Sequence, residues 1–230
     1  MNILFKRAAS KVLASGSYQY LLNGRPAPVE ESWRYEGDLA GECRIFGQRV
    51  AIGVEIEVSA LMCQGKVLQF DTLWRGNSAG IITAHYRQRD DGLSVNWSGA
   101  GSDREEVIEI RHETEDSEPL LFPLMRIFTG PLIARLVEQG GAGRVILPNI
   151  ENPAAPEVLL RPQVSERKAS IIEEDKLTFG DGSEVLCRCC EYTGDQYSAD
   201  SRFWLGPDDM LQRYQWQQTV DQRWDVWLQP

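Results

Sequence analysis

A chain of 230 residues with 24 lysines and arginines against 34 aspartates and glutamates has a net charge of −10, which repels polyanions and argues against nucleic acid as a partner. No run approaches the roughly 18 apolar residues that a membrane-crossing helix needs. Lys6-Arg7 also interrupts the apolar start Ile3-Leu4-Phe5 before a signal-peptide core can form, so the expectation is a cytoplasmic, single-domain protein over 1–230 without a transmembrane segment.

In chain order, residues 3–14 place Leu4, Ala8 and Val12 on one helical stripe with Lys6, Arg7 and Lys11 elsewhere, which predicts a short N-terminal helix capping the sheet. From Tyr18 the pattern has period two, and a first set of strands is expected over 18–111. Asn23-Gly24 follows Tyr18 to Leu22 and reads as a tight turn before a stretch bearing Val29, Trp33 and Tyr35. The clearest alternation runs from Arg49 to Ala60, with Val50, Ile52, Val54, Ile56 and Val58 on one face. Gln64-Gly65 turns the chain into a strand with Leu68, Phe70 and Trp74 in phase. Asp90-Asp91-Gly92 is a hairpin signal between Ala79 to Arg89 and Leu93 to Trp97, and a strand around Glu105 to Arg111 ends the set.

Residues 120–139 break the pattern with Leu121, Leu124, Met125, Phe128, Leu132, Leu136 and Val137 near helical spacing. A short turn and then a longer helix ending at Gly140-Gly141 are expected. Residues 140–168 read as an irregular surface connection apart from a strand at Arg144 to Leu147. A C-terminal meander over 169–229 follows, with turns at Gly180-Asp181-Gly182, Gly194-Asp195, Gly206 to Asp209 and Thr219 to Asp221.

Pairing Leu205 with Met210 places Phe203, Tyr197, Tyr214 and Trp216 on an inner face, joined by Trp224, Val226 and Leu228. The same register sets Arg202 opposite Arg213 outside, near Trp204, Leu211 and Trp227. That cluster is read as a screened surface group, an anion site or a partner surface; Asp200 and Asp225 are available to the two arginines, and the Trp227 ring to Arg213.

Chemistry-bearing motifs are scarce. Cys187 and Cys189 fall on one face of a strand and Cys190 on the other, so the trio reads as small buried thiols and no metal or cofactor is expected. Hydrolase elbows, phosphate loops and dinucleotide fingerprints are absent. His85 reads as structural, and Glu55/Glu57 as a solvated face.

The strand run, the helical insertion and the second meander, from about Tyr18 to Leu228, resemble the LolA/LolB-like half-barrel lipid carriers and related uncharacterised or glycolipid-binding bacterial families. The resemblance implies a curved sheet whose concave face wraps a helix over an apolar cavity. The fold expectation is therefore mainly β: a large curved antiparallel sheet or half-barrel of about ten strands with an internal helix on its concave face.

A lipid, glycolipid or other apolar small molecule would lie against Val54, Ile56, Phe70, Trp74, Leu124, Phe128, Leu132, Phe203, Tyr214, Trp216 and Trp224. The alternative is a non-catalytic scaffold with a filled core, meeting a partner or a second copy as a homodimer through Trp204, Leu211 and Trp227. Enzymatic activity would require polar residues inside a pocket.

Overall fold

A computed structural model describes residues 11–37, 42–77, 80–90, 92–99, 106–111, 119–194, 197–198 and 200–229. The first half comprises β1 (Lys11–Leu22), β2 (Arg25–Gly37), β3 (Cys43–Ala51), β4 (Val54–Cys63), β5 (Lys66–Gly76), β6 (Gly80–Arg89), β7 (Gly92–Ser98) and β8 (Glu106–Arg111). After the two-residue β9 (Leu120–Leu121) come a 3-10 turn at Arg126–Phe128 and α1 (Thr129–Glu138). The second half contains β10 (Ala142–Pro148), β11 (Pro162–Thr178), β12 (Glu184–Thr193), β13 (Arg202–Leu205), β14 (Leu211–Thr219) and β15 (Gln222–Gln229).

The protein is mainly β, and its strands form one 15-stranded sheet, not one of about ten. The order is β8-β7-β6-β5-β4-β3-β2-β1-β15-β14-β13-β12-β11-β10-β9. All neighbours pair antiparallel except β9 with β10. A sheet this wide has to curl, and here its far end returns, so that β9 lies against β5. The ring from β5 round to β9 thus closes without a ladder among the described residues, and β6, β7 and β8 run on past the closure. The inner face of that extension is covered by the 149–161 connection. Its Leu159 and Leu160 are fully buried, and their carbonyls accept hydrogen bonds from Trp97 Nε1 and Tyr86 Oη, both at 2.7 Å.

Several expectations change. Residues 11–14 belong to β1, and the rest of the predicted N-terminal helix lies outside the described residues. Arg49 to Ala60 is a hairpin, not one strand: Ile52-Gly53 makes the turn, with φ of 73° at Gly53. Val50 and Ile52 are consequently 41% and 83% exposed. Residues 140–168 are less irregular than expected, because β10 runs to Pro148 and β11 begins at Pro162. Of the expected strand from Gln196 to Leu205, only β13 pairs continuously, preceded by a single bridge from Gly194 to Tyr197.

The turns at Asn23-Gly24 and Gln64-Gly65 have positive φ at both residues, the geometry of two-residue hairpin turns. α1 stops at Gly140, whose φ is 95°, with Gly141 N–H bonded to the Leu136 carbonyl at 2.8 Å and Gly140 N–H to Val137 at 3.1 Å, a Schellman ending. The helix buries Leu132, Ile133, Ala134 and Leu136 against the sheet. Around it the rings of Phe203 and Tyr214 stack at 5.3 Å, and those of Phe70 and Tyr86 at 4.3 Å. Removing such a ring costs about 3–5 kcal/mol in packed cores, and both pairs join adjacent strands on the buried face.

A buried polar knot ties α1's approach to the sheet. Glu31 Oε2 accepts from Tyr20 Oη at 2.5 Å and Arg49 Nε at 2.7 Å, while Oε1 accepts from the Arg126 backbone N–H at 2.5 Å. Arg49 also donates to the Leu124 carbonyl at 2.8 Å, holding Leu124 at a positive φ of 66°. The Arg126 guanidinium donates to Tyr197 Oη at 2.9 Å and lies over the Tyr214 ring at 4.9 Å. Burial, reinforced by the Glu31 carboxylate, pushes the Tyr20 hydroxyl far above its ordinary pKa despite the neighbouring guanidiniums, so it remains a donor.

Candidate functional site

Strand pairing puts directly opposed residues on one face, so the registers alone assemble the site. Across β3 to β7, one row reads Phe46, Ser59, Asp71, His85 and Asn96. The adjacent row reads Gln48, Glu57, Leu73, Thr83 and Ser98. Their strand neighbours Val58, Thr72, Ala84 and Trp97 are buried, which leaves both rows on the outer face. Small side chains at Ser59, Thr83 and Ser98 sit between the larger Phe46, Leu73 and His85. The result is an open trough of about 530 Å³.

Pairs and unpaired groups alternate along its walls. Glu57 contacts Arg75, which also bonds Glu55 at 3.0 Å, and Gln48 donates to Glu55 at 2.6 Å. The Gln48 and Arg75 hydrogen bonds hold the Glu55 carboxyl below its ordinary pKa. His85 Nδ1 contacts the Asp71 carboxylate; with that nitrogen engaged, Nε2 is the one left for a ligand. Arg34 covers one face of Phe46 at 4.2 Å. Ser59, Thr83, Asn96 and Ser98 make no side-chain hydrogen bond among the described residues, and their hydroxyl and amide groups are available in the trough.

A second hollow of about 390 Å³ lies on the same face over β15, β1, β2 and β3. Ser17, Gln19, Glu30, Ser32, Gln48, Val50 and Gln229 line it.

The residues expected to line an apolar pocket are brought together in a different way. Ile56, Phe70, Trp74, Leu124, Phe128, Leu132, Phe203, Tyr214 and Trp216 are buried members of one core, and Val54 and Trp224 pack at its margin. Where α1 meets β5 and β9, a gap beside Phe128 and Leu132 measures about 10 Å³, the room of a single water.

The outer cluster needs one correction. Arg202 stands opposite Gln215, not Arg213, and Arg213 stands between Trp204 and Trp227. Its guanidinium lies 4.9 Å and 4.1 Å from those two rings and binds both oxygens of Asp225 at 2.9 and 2.8 Å. A guanidinium so satisfied offers no anion site. Burial raises the Asp225 pKa, but the bonds from Arg213 and Gln215 outweigh it and hold the carboxyl below its ordinary value. Its contribution is therefore complete above about pH 4, the unfolded carboxyl pKa, and is lost as pH falls through the lower folded value. We expect Asp225→Asn to cost about 1 kcal/mol at pH 7. Urea denaturation at pH 7 and pH 2.5 should show wild type and variant converging at the acid end.

Cys187 and Cys189 pack with Leu177 and Trp204 in a small outer cluster, whereas Cys190 joins the main core. Burial pushes the Cys187 and Cys190 thiols up to about 11, so neither is a ready nucleophile. Among the described residues no His, Cys, Asp and Glu group has the arrangement of a metal site, and no helix is long and apolar enough to cross a membrane.

Sequence reasoning passed over the trough: His85 reads as structural and Glu57 as solvated, and Ser59, Asp71, Thr83 and Asn96 carry no motif. The available signal is the polar run on successive strands, which appears only when the registers are known.

No protein-family model matches the chain, and no curated protein matches it. It is similar in structure to a crystal structure described as a beta-barrel-like protein of domain of unknown function DUF1849 from Brucella abortus. That likeness has 10% sequence identity and a TM-score of 0.51, and covers 93% of this chain and 94% of the other. It supports a barrel-like β fold and carries no information on activity.

Proposed function

We propose that the protein is a binding protein for a small, uncharged, hydroxyl-rich molecule of the saccharide class, seated in the outer trough of β3 to β7. The observation that carries this reading is the set Ser59, Thr83, Asn96 and Ser98, without side-chain hydrogen bonds among the described residues, in a hollow of about 530 Å³. These groups donate and accept hydrogen bonds in the same manner as sugar hydroxyls. Leu73 offers apolar surface for the C–H face of a ring, and Glu57 and Asp71 accept from hydroxyls while disfavouring anions.

A second reading, a lipid or other apolar ligand between α1 and the sheet, is favoured by the gap beside Phe128 and Leu132, at the meeting point of helix and sheet. Binding there requires the helix to shift, because the gap holds about one water.

One experiment addresses both. Thr83 is exposed, so Thr83→Trp fills the trough without touching the core. Calorimetric titration with neutral mono- and disaccharides should show saturable binding in the wild type and at least tenfold weaker binding in Thr83→Trp, with an unchanged melting temperature. Absence of saturable binding by any sugar, or equal binding by the variant, overturns the trough reading. Native mass spectrometry that finds an acyl-chain adduct on both proteins favours the second.

A further inference from the structure

The two outer hollows are parts of one belt. Following the strand pairs from β15 to β7, the opposed residues read Gln229, Ser17, Ser32, Gln48, Glu57, Leu73, Thr83 and Ser98 without interruption. Gln229, Ser17, Ser32 and Gln48 line the hollow of about 390 Å³, and the remaining four line the trough of about 530 Å³. Gln48 and Glu57, directly opposed, are the join between them. With neighbouring strands about 4.8 Å apart, seven steps span roughly 30 Å, several times the length of a single sugar.

We propose that this belt is the site of an extended neutral glycan that crosses the strands, with one end in the trough and the other over β1 and β2; the inference rests on the saccharide reading of the trough. Three observations select this occupant. First, Glu57 lies in the belt and Glu30, Glu55 and Asp71 lie beside it, while Arg75 is paired with Glu55 and Glu57, and Arg34 with Glu36 and Phe46. A polyanion is repelled, and an uncharged chain is not. Second, the belt presents side chains and no free strand edge, so it lacks the backbone row that an extended peptide pairs with. It suits a polymer bearing donors and acceptors around its own periphery. Third, the belt residues are mainly short hydroxyl and amide side chains, repeated at the strand spacing, which gives a repeating ligand equivalent contacts at successive units.

The test is chain length. Cello-, malto- and chito-oligosaccharides from two to six units are titrated into the full chain, and the favoured series should bind roughly tenfold tighter as a hexamer than as a dimer, about 1.4 kcal/mol. Ser32 is exposed in the second hollow, so Ser32→Trp should return the hexamer to dimer-like affinity and leave the dimer unchanged, with melting temperature as the check on folding. If dimers bind in the trough but affinity does not rise with length, the belt inference falls and the trough reading stands. If nothing binds, both fall. If a neutral peptide of similar length binds the belt and the glycans do not, the choice of occupant is overturned.

Discussion

Replacing Glu31 by alanine should cost about 3–5 kcal/mol, a large share of the stability of an ordinary domain. Glu31 is 2% exposed and, among the described residues, is the only acid paired with Arg49. Its removal leaves the Arg49 guanidinium without its counter-charge. Tyr20 Oη and the Arg126 backbone N–H lose their acceptor in the same step. Each orphaned donor adds a desolvation cost, and the positive φ at Leu124 loses part of what holds it. Glu31→Gln keeps an acceptor while deleting the charge, so it should fall between wild type and alanine. Urea unfolding followed by tryptophan fluorescence measures both; a loss below 1 kcal/mol for alanine would mean that water replaces the carboxylate and that the knot is not dry.

Gly130→Ala should destabilise the fold by about 3 kcal/mol, against the sign expected from helix propensity. Alanine in a helix interior is favoured over glycine by up to about 1 kcal/mol, but a Cβ on Gly130 would sit 2.0 Å from the Asp209 carbonyl oxygen and 2.8 Å from the Leu211 backbone nitrogen. Both are main-chain atoms, one in the turn between β13 and β14 and one at the start of β14, so no rotamer change relieves the overlap. The helix must withdraw from the sheet or the turn must open. The predicted signature is a lower denaturation midpoint with faster hydrogen exchange through α1 and the start of β14. An unchanged midpoint would show that the turn yields easily.

The parts of the fold legible in the sequence were those written in local chemistry. The turns at Asn23-Gly24 and Gln64-Gly65 separate the strands they were expected to separate, β6 ends and β7 begins on either side of Asp90 as expected, and β12 and β15 lie between the expected turns and the end of the meander. The turn and helix after Phe122 follow the spacing of Phe128, Leu132 and Leu136. Ile52-Gly53 failed as a signal because the alternating apolar residues around it mimic a single strand.

Registers were less legible, and the reason is bulges. Between β13 and β14 the turn pairs Leu205 with Leu211, one residue beyond the expected Met210, and a shift between Leu205 and Trp204 adds another. Two one-residue changes cancel for Phe203 and Tyr214, but Leu211, expected outside with Trp204 and Trp227, pairs with Leu205 and is fully buried in the core. Phe203 and Tyr214 therefore lie inside as expected, while Arg202 moves from Arg213 to Gln215. In β4 and β5 a single shift at Leu61/Met62 sets Ser59 opposite Asp71. Counting from the Gln64-Gly65 turn alone pairs Ser59 with Phe70, so the polar rows of the trough do not assemble on paper.

The way the ring ends also governs its girth. A cylinder sealed by a continuous ladder has a fixed circumference, because any change breaks main-chain hydrogen bonds. Here, among the described residues, β9 lies against β5 without a ladder, a joint that could give without breaking a strand pair. A guest beside Phe128 would be admitted by slip at that joint, with every strand pair elsewhere intact.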